Sequence, residues 1–329
     1  MSKPSAKKNQ KKKDREKKVQ AVKNRPAPGI GDAPRKDPYR DERALRRIFR
    51  AREGKPFEGP DELENILDET RALAIDLSVL PPEEQAQELA FQGLAWLADD
   101  HRKAPEKAIP LLRKALDIDP DCADAHTGLL YLAGLVGDKG MAPEAARIHL
   151  TTLLAASRRR LGLSETGELP EPAPADVFLR PHLRLLDAAV LEAEDCELVE
   201  MCPALCREML ILDEDCEHVE PTRVLTWLLF GNFQVEAAQV LDLFELDDPS
   251  LFWWRAWAAF RSQELEAAKA WVEKALAAAP HALQLLALEI FPDDGDDFDE
   301  DFLLVHEPMI LALQHEGEFL TWAKGLDAA

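Results

Sequence analysis

The sequence predicts an all-α protein, formed by repeated helix pairs that follow a basic, disordered N-terminal tail. Hydrophobic residues make up 46% of the 329 residues, enough for a sizeable core, and only 15 residues are glycine. Apolar residues recur at the three- and four-residue spacing of helices, and no segment alternates for long enough to predict a strand. A leucine-rich motif also recurs along the chain, which indicates structural repetition.

Charge divides the chain into a basic arm and an acidic body. Residues 1–55 contain 20 lysines and arginines against 7 aspartates and glutamates, whereas residues 56–329 contain 20 against 55. Lysine clusters attract phosphate groups without reading a base sequence, so the tail is a candidate polyanion-binding site. A solubilising tail, and a tail that docks on the acidic body of its own chain, are the open alternatives. The candidate polyanion-binding residues are Lys7, Lys8, Lys11, Lys12, Lys13, Lys17 and Lys18.

Cysteine usage and hydropathy favour the cytoplasm. The five cysteines are an odd number in a chain far too large to need disulfides. No apolar run follows the lysine-rich start, as a secretory signal would require. The longest uncharged stretch, Ala275 to Leu288, has 14 residues and is too short to span a bilayer. We therefore expect no contact with a membrane.

The elements are predicted in four parts. Residues 1–55 form the largely disordered basic tail, in which 37–52 has the pattern of a short amphipathic helix that orders on binding. Residues 56–81 contain a linking helix that begins at Asp61, and 292–329 form an acidic loop and C-terminal capping helices. Residues 82–291 form the repeats, with helices at 84–99, 106–117, 123–135, 143–161, 181–194, 203–212, 222–230, 235–244, 249–261, 265–278 and 282–290.

The repeated motif resembles the tetratricopeptide family. LRKALDIDPDCADAH, residues 112–126, aligns with CREMLILDEDCEHVE, residues 206–220, and VEKALAAAPHA, residues 272–282; equivalent positions at Glu214, Asp248 and Pro280 lie 34 and 32 residues apart. The resemblance implies a right-handed α–α superhelix, a solenoid of antiparallel helix pairs with a concave groove. The residues at the family's framework positions are Phe91, Leu94, Ala95, Ala98, Ala108, Leu112, Ala115, Pro120, Phe252, Ala256, Ala259, Ala268, Val272, Ala275 and Pro280.

A narrower resemblance covers residues 89–285. The strings LDIDPDCADA, LRPHLR and CREMLILDEDC, the last followed by TRVLTWLL, are similar to bacterial tetratricopeptide proteins related to the suppressor of tumorigenicity 7 family. The group has basic residues or proline where this chain has Arg180, Pro181, Arg184 and Arg223. The chain departs from the group at His182, where an aromatic residue is usual, and at Glu214, where proline is usual. The resemblance implies a fold and brings no catalytic residues with it.

Other residue patterns give no catalytic or metal site. Cys202 and Cys206 share a helix face without the CxxC spacing of zinc sites, so we expect buried small side chains. The eight histidines are scattered, and glycine forms no nucleotide-binding loop. The acidic run at residues 292–301 does not fit a calcium loop and is expected to be a solvated connection. We therefore predict no enzyme activity, no cofactor and no metal.

Aromatic residues indicate a peptide-binding groove. In SLFWWRAWAAFR, Trp253, Trp257 and Phe260 lie on a second apolar face, where the resemblance implies a concave groove, and Trp96 and Gln92 take related positions. The alternative is that neighbouring helices or the C-terminal segment bury this face. The leading hypothesis is a non-enzymatic protein interaction scaffold whose groove binds a basic or amphipathic segment of a partner. The alternative function is a nucleic-acid- or ribosome-associated factor anchored by the basic tail.

Overall fold

A computed structural model describes residues 34, 37–52, 55, 57, 59–72, 76–99, 104–136, 142–164, 169–170, 175–287 and 297–327. Within these ranges the chain is all-helical and has no strands, so the predicted all-α class is confirmed. Short 3-10 turns lie at Leu77–Val79 and Pro249–Leu251. The helices are α1 Arg40–Arg52, α2 Pro60–Ala72, α3 Pro82–Leu97, α4 Ala104–Ile118, α5 Ala123–Val136, α6 Pro143–Leu161, α7 Asp176–Asp195, α8 Cys202–Leu212, α9 Pro221–Phe230, α10 Gln234–Asp242, α11 Phe252–Arg261, α12 Leu265–Ala278, α13 Ala282–Leu286, α14 Asp297–His315 and α15 Glu318–Asp327.

Three tight turns of the same geometry connect successive helices. Glu197, Asn232 and Gln263 have positive φ angles of 57°, 63° and 63°, and they join α7 to α8, α9 to α10 and α11 to α12. In each turn, the residue that follows donates its backbone N–H to the carbonyl five residues earlier, which is the hydrogen bond of a Schellman motif. The chain therefore reverses direction in the same way in three consecutive helix pairs.

Small residues allow the first helices to approach closely. A methyl group built on Gly93 of α3 would lie 2.7 Å from the Leu112 side chain of α4, and one built on Gly128 of α5 would lie 2.7 Å from the same leucine. Leu112 therefore packs between two glycines. Ala108 and Ala115 on the same face of α4 are fully buried, as expected of small side chains that let helices pack closely.

Apolar residues form two core clusters. The smaller cluster joins α3, α4 and α5, and the larger one extends from α5 to α15. All five cysteines are buried, as predicted for Cys202 and Cys206, and burial raises the pKa of each thiol, to about 11 for Cys196 and about 12 for Cys122. The thiols therefore stay protonated at neutral pH and act as small apolar side chains.

Helix α7 begins at Asp176, five residues before the start that Pro181 predicted. Proline has no N–H, so inside a helix it leaves the carbonyl four residues earlier without its usual partner. Here that carbonyl belongs to Val177, and the guanidinium of Arg46 in α1 donates a hydrogen bond of 3.0 Å to it. The tertiary contact thus replaces the missing helical bond, which is why the helix continues through the proline.

Helix α1 packs against α2 and α7 and forms ion pairs with α3, whereas the sequence predicted a helix that orders only on binding. Its contacts combine ion pairs and aromatic packing. Arg43 lies 3.2 Å from a carboxylate oxygen of Glu88, and Arg50 pairs with Glu84. The guanidinium groups of Arg46 and Arg50 also lie 4.9 and 5.5 Å from the centre of the Phe178 ring. A basic part of this chain is therefore bound by its own acidic body.

No helix in the described part of the chain is long and apolar enough to cross a lipid bilayer.

Candidate functional site

The aromatic residues predicted to line a groove are covered by other helices. Trp253 and Trp257 on α11 are 2% and 0% exposed, and the ring of Phe319 from α15 lies 6.4 Å from that of Trp257. Phe260 packs its ring against Phe319 at 5.5 Å and against Trp322 at 5.0 Å. The prediction of an open groove at these three residues is wrong, because Trp253 and Trp257 are buried and α15 packs its rings against Trp257 and Phe260.

The other predicted site residues are dispersed. Trp96 is buried in the smaller core cluster, and Gln92 is half-buried and donates a hydrogen bond to Glu88. The seven tail lysines lie outside the described residues, as do the side chains of the acidic run at 292–301. The structure therefore does not bring the predicted residues together in one site.

An apolar groove of about 470 Å³ lies instead between α3, α5 and α7. This volume is within the range of peptide- and ligand-binding clefts. Leucine, alanine and tyrosine form most of its wall, and two carboxylates lie at the end of α7. The lining residues are Tyr39, Leu94, Leu97, Ala98, Leu130, Tyr131, Ala188, Leu191, Glu192 and Asp195.

Helical spacing places these side chains on the groove. Leu94 and Leu97 of α3 are three residues apart, and so are Ala188 and Leu191 of α7, so each pair lies on one face of its helix. Leu97 and Leu191 are only half-buried. Each therefore leaves part of an apolar side chain available for contact with a bound segment.

Tyr39, immediately before α1, closes one side of the groove. Its ring stacks on Phe91 with 5.5 Å between centroids, and the guanidinium of Arg184 lies 5.3 Å from its centre. Arg184 forms two hydrogen bonds with Glu42 at 2.7 and 2.8 Å and two with Asp124 at 2.7 Å each. Burial alone would lower the pKa of Arg184, but the two carboxylates raise it well above its usual value. A permanently charged arginine thus holds α1, and with it Tyr39, against the body.

The last turns of α7 make one end of the groove acidic. Asp187, Glu192, Glu194 and Asp195 lie within nine residues of sequence. Burial raises the pKa of Asp187, whose carboxylate accepts a 3.2 Å hydrogen bond from the Tyr131 hydroxyl. Burial also raises the pKa of Glu194 to about 7. Glu192 and Asp195 line the groove, whereas Asp187 and Glu194 lie beside the lining residues on α7. A cationic group bound at this end would stabilise the charged forms of these carboxylates.

Arg223 of α9 is a weak counter-charge to this end of the groove. Its guanidinium nitrogens lie 3.5 Å from Asp187 and 3.7 Å from Glu194, longer than strong ionic hydrogen bonds. The indole N–H of Trp227 donates a hydrogen bond of 2.6 Å to Glu194. Arg223 therefore pairs with Asp187 and Glu194, and no lysine or arginine is among the residues that line the groove beside Glu192 and Asp195.

A second polar cluster, formed by Ser157, His182, Glu208 and Arg158, has the order of groups found in hydrolases. His182 Nδ1 lies 2.9 Å from the Ser157 hydroxyl, and Nε2 lies 3.0 Å from Glu208. Ser157 and His182 are only 4% and 1% exposed, so a substrate could not reach the hydroxyl without separating α6 and α7. Arg158 occupies both oxygens of Glu208. The cluster is arranged to join three helices rather than to activate a nucleophile.

The groove could not be found from residue patterns, because each leucine in it looks like an ordinary core position. Two arginines lie close to it: Arg184 contacts the lining residue Tyr39, and Arg223 contacts Asp187, the neighbour of the lining residue Ala188. Among the described residues, no three His, Cys, Asp or Glu side chains come together as a metal site requires. No family model, curated protein or solved structure matches the chain.

Proposed function

We propose that this protein is an interaction scaffold that binds an amphipathic, basic segment of a partner protein in the groove between α3, α5 and α7. The observation that carries the proposal is the combination of an apolar floor, about 470 Å³ in volume, with carboxylates at one end. Apolar side chains of the partner would supply most of the binding energy, and a lysine or arginine would select the orientation.

A tetratricopeptide-like right-handed superhelix is part of this proposal, as is a relationship to bacterial members near the suppressor of tumorigenicity 7 family. Three equivalent Schellman turns and buried alanines at the framework positions support it. Contacts between successive pairs add to this support. Arg261 of α11 donates hydrogen bonds to the carbonyls of Leu229 and Phe230 at the end of α9, and so caps a helix of the preceding pair.

Charge selectivity separates this function from the acidic-tail recognition of some helical repeat proteins. Those proteins hold a carboxylate with lysine and asparagine side chains, whereas the residues lining this groove are apolar or acidic. An acidic peptide would place like charges next to Glu192 and Asp195. We therefore expect a preference for basic over acidic peptides of matched apolar content, and we expect that preference to weaken as salt is added.

The test is peptide binding measured by fluorescence anisotropy with two helical peptides of the same leucine pattern, one carrying lysines and one carrying glutamates. We expect the lysine peptide to bind at least 10-fold more tightly. Leu191→Arg places a bulky cation in the groove and should weaken this binding by at least 10-fold. Leu265→Arg is the matched control, because Leu265 is exposed on α12 and does not line the groove. Equal binding of both peptides, or equal effects of both substitutions, would contradict the proposal.

The lysine clusters favour a second candidate function, association with nucleic acid or ribosomes through the tail. Its test is the full-length chain with Lys7, Lys8, Lys11, Lys12, Lys13, Lys17 and Lys18 replaced by glutamine. If the tail anchors the protein, single-stranded RNA binding should be lost in this variant while the lysine peptide still binds. RNA binding that survives the seven substitutions would exclude the tail as the anchor.

A further inference from the structure

We propose that residues 17–30 of the same chain occupy the groove and compete there with a partner. This inference rests on the proposed function, because it concerns the same groove. The occupant it names is a segment of the same chain that lies outside the described residues. Three kinds of observation support it: where the tail joins the body, which side chains the tail carries, and how the neighbouring helix α1 already binds.

The tail joins the body at the groove. Tyr39, a lining residue, comes only five residues after residue 34, where the described part of the chain begins. Val22 is 17 residues before Tyr39, a length of chain with a root-mean-square span of about 23 Å if unstructured. Such a tether keeps the segment at an effective concentration near the millimolar range. Even weak intrinsic affinity would then fill much of the groove.

The segment carries the side chains that the groove fits. Residues 1–33 contain 11 lysines and arginines against 3 acidic residues. After Met1, the only large aliphatic side chains among them are Val19, Val22 and Ile30, and all three lie in the half nearest Tyr39. Lys17, Lys18 and Lys23 flank the two valines. Valines three residues apart with adjacent lysines match the apolar floor and the carboxylates at the end of α7.

Helix α1 shows that this body binds basic segments of its own chain. Arg43, Arg46 and Arg50 of α1 contact Glu88, the Val177 carbonyl and Glu84. Tyr39, the residue before α1, lines the groove, so the docked helix leads directly to it. Binding of residues 17–30 in the groove would extend this contact toward the N-terminus. A partner would then have to displace the tethered segment in order to bind.

Zero-length carbodiimide cross-linking of the full-length chain, followed by mass spectrometry, tests the contact, because it joins a lysine amine directly to a touching carboxylate. We expect Lys17, Lys18 or Lys23 to be joined to Glu192 or Asp195. V19D/V22D should reduce these cross-links at least 5-fold. A6D/Q10D adds the same charge to the tail outside the segment and should leave them unchanged. Cross-links spread evenly over the acidic surface, or equal effects of the two variants, would overturn the proposal.

Two further readouts distinguish a contact in cis from a contact between two chains and from a tail bound away from the groove. In a mixture of ¹⁵N-labelled and unlabelled chains, a cis contact gives cross-links of unmixed isotope composition; pairs mixed in the statistical proportion would indicate a second copy and overturn the proposal. In V19D/V22D the segment no longer competes for the groove, so this variant should bind the lysine peptide about 5-fold more tightly than the unsubstituted chain does. Unchanged affinity would refute the cis contact while leaving the groove function intact, whereas no peptide binding to any variant would refute the groove function itself.

Discussion

Single buried groups decide how the helices of this protein are joined. His182 is buried and forms two hydrogen bonds, one to Ser157 and one to Glu208. Glu208 is buried, and burial alone would raise its pKa. The hydrogen bonds from Arg158 and His182 outweigh burial and hold that pKa at about 2. The ionised carboxylate is therefore a source of native-state stability.

Glu208 gives the protein a specific acid sensitivity. Since its folded pKa of about 2 lies below the usual 4.5, its contribution is complete above pH 4.5 and is lost as the pH falls toward 2. We expect Glu208→Gln to lower the free energy of unfolding by about 2 kcal/mol at pH 7, and by much less near pH 2.5. Urea unfolding at both values measures this. Glu214→Gln, at an exposed position, is the control, and an equal loss at both pH values would contradict the assignment.

A second effect at the residue scale concerns backbone strain in the turns. Gln263 has a φ angle of 63°, a left-handed conformation that costs a residue with a Cβ roughly 1 kcal/mol. Gln263→Gly should therefore raise the free energy of unfolding by up to about 1 kcal/mol, as measured by urea denaturation. Ser262→Gly is the matched control, because Ser262 has a φ angle of −78° and gains nothing from glycine. A stabilisation that is the same in both variants would show that the turn geometry is not the cause.

At the scale of elements, α1 and α7 depend on each other. Pro181 would ordinarily end a helix, yet α7 continues because Arg46 satisfies the freed carbonyl of Val177. In turn, Arg184 of α7 holds Glu42 of α1. The two helices exchange hydrogen bonds at both contacts, so the docking of α1 is built into the way α7 is formed.

A double-mutant cycle tests this dependence. Arg46→Met keeps an apolar stem but removes the hydrogen bond to Val177, and should cost about 1 to 2 kcal/mol of unfolding free energy. In a Pro181→Ala background, the alanine N–H donates the helical hydrogen bond to the Val177 carbonyl. Arg46→Met should then cost clearly less unfolding free energy. Urea denaturation of the four proteins gives the coupling. Additive effects would show that Arg46 acts only through its contact with Phe178.

At the scale of the whole molecule, the C-terminal helices complete the core. Helix α14 packs on α9 and α13, and Trp254 stacks on His306 of α14 with 4.5 Å between centroids. Helix α15 brings Phe319 and Trp322 to the aromatic face of α11. The C-terminal helices thus bury the aromatic face of α11, where an open groove had been predicted.

Weakening this cover should expose the buried aromatic face. Phe319→Ala removes a fully buried ring and should cost about 3 to 5 kcal/mol, with a red shift of tryptophan fluorescence and increased binding of a hydrophobic dye. Phe233→Ala, at a half-buried ring away from α15, is the comparison and should give smaller changes. If dye binding does not rise in the Phe319 variant, α15 does not shield the face in solution.

Local features could be predicted from the sequence, whereas contacts between segments far apart in the sequence could not. Helix limits followed from caps and spacing, and α6 was predicted at its observed bounds of Pro143–Leu161. The burial of the alanines at the framework positions could be predicted because small side chains at helical spacing imply close packing. The start of α7 could not be predicted, because it depends on Arg46, which is more than a hundred positions away. The groove could not be predicted either, because Tyr39 and the α7 residues that line it are as far apart.

The hydrogen bonds between Arg184 and Glu42 also bear on when α1 can dock during synthesis of the chain. It joins residues 142 positions apart, so the ribosome makes α1 long before its binding site on α7 exists. Domains usually acquire structure from the N-terminus onward. Helix α1 can pack on α2 and α3 as soon as these are made, but Glu42 can meet Arg184 only after α7 has been translated. The complete docking of α1 is therefore reached only after more than half of the chain has been made.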